Sequence, residues 1–229
     1  MRRRFVTRLA VAYGEAMRNR EAIADDLERI IAAHYYGEDF ELLSAVRAYR
    51  DSLPPPERDE LGVVVLQRLL REDSIVEVLL CAVVEVPAAA PLLAAKLDRE
   101  SAPSQTTRAL LTALQQYRGD EVFAAVERFV DSDQEHEALQ ALARVDFRRS
   151  APYLLRALRR DAQRDLCLHI LHDRLKAVGR EALAEDLRAL AAHAGEDLGE
   201  RVARALRAKP PPFNPMAEAD IVFLLTVLA

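Results

Sequence analysis

Leu111-Thr112-Ala113-Leu114, Leu139-Gln140-Ala141-Leu142 and Leu168-His169-Ile170-Leu171 carry one pattern, an apolar residue, a gap and two more apolar residues, returning after 28 and then 29 residues. A second pattern keeps the same beat. Pro91-Leu92-Leu93 followed by Leu97 returns as Pro152-Tyr153-Leu154 followed by Leu158, two periods later, and the stretch from Phe123 to Phe129 holds the corresponding place between them. A period near 30 residues accommodates two short antiparallel helices. Such a pair cannot cover its own apolar face, so neighbouring pairs have to stack to bury it.

Working outward, apolar residues recur at three- and four-residue intervals almost throughout, which predicts helices rather than strands. The expected helices are 4–18, 21–34, 38–52, 57–71, 74–86, 88–99, 104–117, 119–131, 133–145, 148–160, 162–177, 179–194, 196–208 and 216–228. Ser74 with Glu77 and Ser132 with Glu135 fit capping boxes, in which the serine hydroxyl accepts from an orphan backbone N–H. Gly37 and Gly119 fall where a left-handed residue closes a helix. The run Gly62-Val63-Val64-Val65-Leu66 and the triplet Ser74-Ile75-Val76 have β-branched residues that suit a strand equally well, but the periodicity around them favours helix. The expected class is all-α.

On these motifs the stretch 74–194 resembles the short HEAT-like repeats of bacteria. The resemblance implies an α-solenoid of stacked antiparallel helical hairpins, wound as a right-handed superhelix with one helix of each pair lining a concave face. Residues 1–209 are assigned to that body. Residues 210–229 are read as a Pro-rich linker (Lys209-Pro210-Pro211-Pro212-Phe213-Asn214-Pro215 marks it) followed by an apolar helix, either a cap folded onto the last repeat or a docking tail.

Composition narrows the function. A chain of 229 residues, 51% hydrophobic and 30% charged, is globular rather than disordered. Seven Gly and no Trp argue against a loop-rich enzyme or an aromatic ligand box, and a net charge of -5 argues against a nucleic-acid coat. Cys81 and Cys167 have no metal-type spacing and read as reduced, buried thiols of a cytoplasmic protein. Arg8 and Glu15 interrupt the only stretch resembling an export signal, and Ile221 to Leu228 is far short of the ~20 residues a membrane span needs.

Few residues offer chemistry. His169 and His172 sit on adjacent helical turns beside Asp173, two ligands where a metal site needs at least a third, so one imidazole is expected packed and the other exposed. His136-Glu137 is a single His-Glu pair, whereas the metal-dependent HEAT-like hydroxylases carry several. No nucleophile elbow or glycine-rich phosphate loop occurs, and no cofactor is expected. Charge is more informative. Residues 1–20 hold six Arg against one Glu, 21–60 hold eleven acids against four Arg, and a second basic cluster contains Arg148, Arg149, Arg156, Arg159 and Arg160. On a helix 148–160, Arg149, Arg156 and Arg160 would share a face suited to carboxylates or phosphates. Ordinary pairing with acids of adjacent helices is the competing reading. The expected function is therefore a non-catalytic protein–protein interaction solenoid, an adaptor, regulator or neutralising partner, using those five arginines to bind another protein. The alternative is nucleic-acid binding or repair, as in the HEAT-like DNA glycosylases. A further alternative is a likeness to HEAT-like lyases that attach bilins.

Overall fold

The computed structural model describes residues 19–34, 39–72, 74–100, 102, 104–158 and 164–194, and all regular structure among them is helical. Residues 19–33 are helical (α1), followed by α2 (Asp39–Ser52), α3 (Pro55–Arg71), α4 (Ile75–Val84), α5 (Ala90–Arg99), α6 (Gln105–Leu114), α7 (Asp120–Glu127), α8 (Glu135–Val145), α9 (Ala151–Leu158) and α10 (Arg164–Ala194). A 3-10 turn, Pro87–Ala89, leads into α5. The chain divides into two units, Met1–Tyr117 and Arg118–Ala229. The helices expected at 4–18, 196–208 and 216–228, and the linker at 210–215, lie outside the described residues.

In the first unit α4 packs on α2, α3 and α6, and α5 packs on α6. This settles the strand-or-helix ambiguity of its sequence. Ile and Val give up a few tenths of a kcal/mol in a helix because their χ1 freedom is restricted. Burying each such side chain returns about 1.5–3 kcal/mol, and α4 buries Val78, Leu80, Cys81, Val83 and Val84 against neighbours on several sides. The Cys81-x-Val83-Val84 triple lies 30 residues before Leu111-x-Ala113-Leu114 and is buried in the same way, so the beat extends one period earlier than Leu-based matching finds it.

Helix α3 starts on Pro55, two residues earlier than expected. Pro54 takes the N-cap place at φ -65, ψ 156, and Pro55 and Pro56 fill the first helical positions, where a missing N–H costs nothing. Helices α1 and α3 lie side by side and run in the same direction. Arg20 Nε pairs with Glu60 Oε2 at 2.6 Å and Glu28 pairs with Arg68, both at a separation of 40 residues, and a constant offset is possible only between parallel segments. Arg68 also bonds Glu77 Oε1 through Nη2 at 2.8 Å. The Glu77 side chain is only 2% exposed, and its other oxygen accepts from the Ser74 hydroxyl. Ser74 does stand at the N-cap of α4, but its side chain bonds Glu77 rather than a backbone N–H. The serine that caps through its side chain is Ser104, whose Oγ accepts from Thr107 N at 3.0 Å.

The left-handed residue closing α4 is Glu85, at φ 61, ψ 50. Cys81 O receives Val86 N at 3.2 Å in the six-to-one bond of a Schellman ending, and also the Tyr117 hydroxyl at 2.8 Å. Gly37 lies outside the described residues. Gly119 closes nothing: α6 has ended at Leu114, and Gly119, at φ 123, ψ 160, stands at the N-cap of α7.

In the second unit α7 packs on α8, α9 packs on α10, and α8 meets both α9 and α10. Leu139, Ala141, Leu142, Ile170 and Leu171 of the repeated motif are buried, as are Leu111, Ala113 and Leu114 in the first unit. Ser132 does not begin α8. Its hydroxyl donates to Phe129 O at 2.8 Å and accepts from Gln134 N at 3.1 Å, so the helix starts at Glu135 behind Gln134. Helix α10 is two helices meeting at Gly179, whose φ of 79 and ψ of 174 are non-helical, at the division the sequence predicts.

Candidate functional site

Helix α9 starts at Ala151, three residues later than expected, and the reason is local. Asp146 ends the preceding helix, and its carboxylate accepts from Arg149 N at 3.1 Å while its carbonyl accepts from Ser150 N at 3.0 Å. The Ser150 hydroxyl returns to Phe147 O at 2.7 Å, and Phe147 is buried. Aspartate and serine favour such side-chain-to-backbone turns over helix. Arg148 and Arg149 therefore stand on the turn before α9, and of the five candidate arginines only Arg156 is described on the helix itself. Arg159 and Arg160 lie outside the described residues.

The three described arginines take two directions. Arg149 reaches the start of α7, where it pairs with Asp120 and its guanidinium lies 4.0 Å from the centre of the Phe123 ring. Arg156 reaches just past the end of α7, pairing with Asp131 at 3.0 Å and lying 5.6 Å from the centre of the Tyr153 ring. The Tyr153 hydroxyl in turn donates to Glu127; that bond, with partial burial, raises its pKa. Arg148 turns instead to α10, donating from Nε to Asp186 Oδ1 at 2.8 Å and from Nη2 to Glu185 Oε1 at 3.2 Å.

These contacts differ in strength. Asp120 is 97% exposed and Asp131 67% exposed, so water screens both pairs and each contributes about 0–1 kcal/mol. The rings hold the guanidiniums about as firmly, at ~0.5–1 kcal/mol each for exposed cation–π contacts. Asp186 is the opposite case. It is 3% exposed and accepts Arg174 Nε at 2.9 Å and Nη2 at 2.7 Å in addition to Arg148. Arg174 also lies 5.2 Å from the centre of the Phe147 ring. This buried carboxylate ties the second half of α10 to its first half and to the turn before α9. Arg148, though itself exposed, is therefore tied to a buried carboxylate of the fold, while Arg149 and Arg156 pair only with exposed acids. Burial, and then the charges of Arg174 and Arg144, lower the pKa of Arg118. Apolar spacing does not mark the Arg174–Asp186 contact, because it depends on the bend at Gly179.

Helix α10 separates its two histidines as expected: His172 is buried, and His169 is half exposed with Nε2 at 3.7 Å from Asp173 Oδ2. Among the described residues no group of three or more His, Cys, Asp and Glu side chains is placed to hold an ion. Cys81 and Cys167 are free and buried, and burial pushes both thiols up to about 12, so neither supplies a thiolate at neutral pH. No described helix is long and apolar enough to cross a membrane. Comparisons of the chain with family models, with curated proteins and with solved structures give no match.

Proposed function

We propose that the chain is a non-catalytic protein-binding module, an α-solenoid of HEAT-like hairpins that engages an acidic surface of its partner through Arg149 and Arg156. The architectural half is supported by two ion pairs, Arg149 with Asp120 and Arg144 with Asp173 at 3.0 Å, each joining residues 29 positions apart. Side chains one repeat apart meet when equivalent helices lie next to one another, as stacked hairpins require.

The functional half is carried by the guanidiniums resting on Phe123 and Tyr153. An arginine held against a ring loses less further side-chain freedom when it forks onto a carboxylate, and arginine and tyrosine are enriched among the residues that dominate interfaces. The exposed acids now paired with them are weakly held and can be exchanged for carboxylates of a partner. A protein is favoured over nucleic acid because Phe123 and Phe147 are buried beneath arginines, which leaves their faces unavailable to a base.

The test is affinity capture from the native host, with nuclease added to half of the lysate, followed by the same capture with Arg149→Glu/Arg156→Glu. A protein that survives nuclease and is lost on charge reversal, with the circular dichroism of the variant unchanged, supports the reading. Capture unaffected by the reversal refutes this interface, and material lost to nuclease transfers the arginines to phosphate binding.

A further inference from the structure

The first unit carries an open cavity of about 410 Å3 where the end of α2, the first turns of α3 and the segment after α4 converge. That volume is within the range of small-molecule sites. Its floor is apolar, with Leu66, Val84 and Val86 among the lining residues, and its rim carries four charges, Arg50, Arg58, Asp59 and Glu85.

Two of the rim charges answer each other. Arg50 Nη1 donates to Glu85 Oε1 at 3.0 Å and to Val83 O at 2.6 Å, and Arg50 also pairs with Asp51. Glu85 occupies a left-handed conformation that disfavours any residue with a Cβ, at the helix end closed by the Val86 N–Cys81 O bond. This side of the rim is fixed before anything binds.

Among the described residues the other two charges have no ionic partner. Arg58 donates Nε to Leu53 O at 2.8 Å and Nη2 to Asp51 O at 3.1 Å, both main-chain carbonyls, and forms no ion pair among the described residues. Those bonds aim the guanidinium without neutralising it. Asp59 forms neither a hydrogen bond nor an ion pair among the described residues. A positive and a negative group, each unanswered, thus flank one apolar hollow. A simple carboxylate would meet Asp59 and Glu85 on the same rim, and a simple amine would meet the two arginines. A ligand carrying both charges close together on an apolar body satisfies the rim as a whole.

We propose that this cavity binds a small apolar zwitterion, an α-amino acid with a branched or aromatic side chain. Its carboxylate lies against Arg58, its ammonium against Asp59, and its side chain on the floor formed by Leu66, Val84 and Val86.

The test uses the full chain, labelled for amide NMR, titrated with L-phenylalanine and L-leucine, and in parallel with 3-phenylpropionate and phenethylamine, which each lack one of the two charges. Arg58 and Asp59 are exposed, so Arg58→Ala and Asp59→Ala leave the fold intact and are titrated alongside. Saturable shifts at residues lining the cavity are expected with the amino acids, with binding at least about tenfold weaker for either analogue and for either variant, since charge-assisted bonds are the strong ones. The proposal is overturned by the absence of shifts up to about 10 mM, the weak limit of a useful site. It is equally overturned by analogues or variants that bind as well as the parent pair.

Discussion

Replacing Arg68 by Met leaves a buried carboxylate without its counter-ion. In the native first unit Glu77 accepts two N–H groups of Arg68, at 2.8 and 3.3 Å, and the Ser74 hydroxyl. The Glu77 side chain is 2% exposed and that of Arg68 15%. After the substitution only the serine remains, and stranding a buried charge in this way costs about 3–5 kcal/mol. Because Arg68 is not fully enclosed and water can follow the methionine in, the expected loss is about 3 kcal/mol. For a chain of this size that lowers Tm by roughly 6–12 °C. Urea denaturation followed by far-ultraviolet circular dichroism reads the change directly. The double variant Arg68→Met/Glu77→Leu removes both charges and should recover most of the loss, since an apolar pair of similar volume replaces a buried ion pair at little cost. Glu28→Ala serves as a control: Glu28 is 60% exposed, so its bond to Arg68 should count for less than about 1 kcal/mol. A loss under about 1 kcal/mol for Arg68→Met, or a double variant no more stable than the single one, would refute the assignment of Arg68 and Glu77 as a buried, mutually dependent pair.

Three other outcomes follow from the geometry. Gly179→Ala should destabilise the chain by about 1–3 kcal/mol in thermal or urea unfolding, because an added Cβ finds open space and the penalty comes wholly from the backbone conformation. Asp186→Ala should cost about 2–3 kcal/mol by removing the acceptor shared by Arg148 and Arg174, whereas Glu185→Ala, an exposed partner of Arg148, should be nearly silent. Burial pushes Cys81 and Cys167 up to about 12, and burial followed by the bond to Asp26 does the same for Tyr49, so the folded chain holds these protons more tightly than the unfolded one. Their contribution to stability is complete below about pH 8.5, the ordinary thiol value, and is lost as pH rises towards 12; native thiols that react with a disulfide reagent at pH 8 as fast as in denaturant would contradict this.

Much of the helical layout was legible because its cause is local and periodic. The Leu-x-Ala-Leu motif marks α6 and α8 correctly, and Gly179 divides α10 where the pattern breaks. Misreadings arose where one side chain could serve two hydrogen-bonding partners. Ser74 fits a cap yet bonds a buried glutamate, and Ser132 fits a cap yet belongs to a turn two residues earlier. Asp146 and Ser150 together draw Arg148 and Arg149 out of α9, a competition that apolar spacing does not register. Among the candidate arginines, Arg156 meets a ring that lies three residues earlier on its own helix, Tyr153, a spacing visible in the sequence, whereas Arg149 meets Phe123 and Asp120 only because tertiary packing brings α7 to the turn before α9. The cavity escaped notice for a similar reason: its rim joins Arg50 and Glu85, 35 residues apart and unlike in pattern.

The hydroxyl of Tyr117 bears on how the chain can be cut. It spans 36 residues to close the end of α4 at Cys81 O, from the last position of the first unit. A fragment ending at Gln116 would retain every helix of that unit and yet lose a buried aromatic side chain together with one acceptor's partner at its central helix. Fragments for expression, and protease-resistant cores found by limited digestion, should therefore tolerate trimming down to Tyr117 and fail one residue earlier.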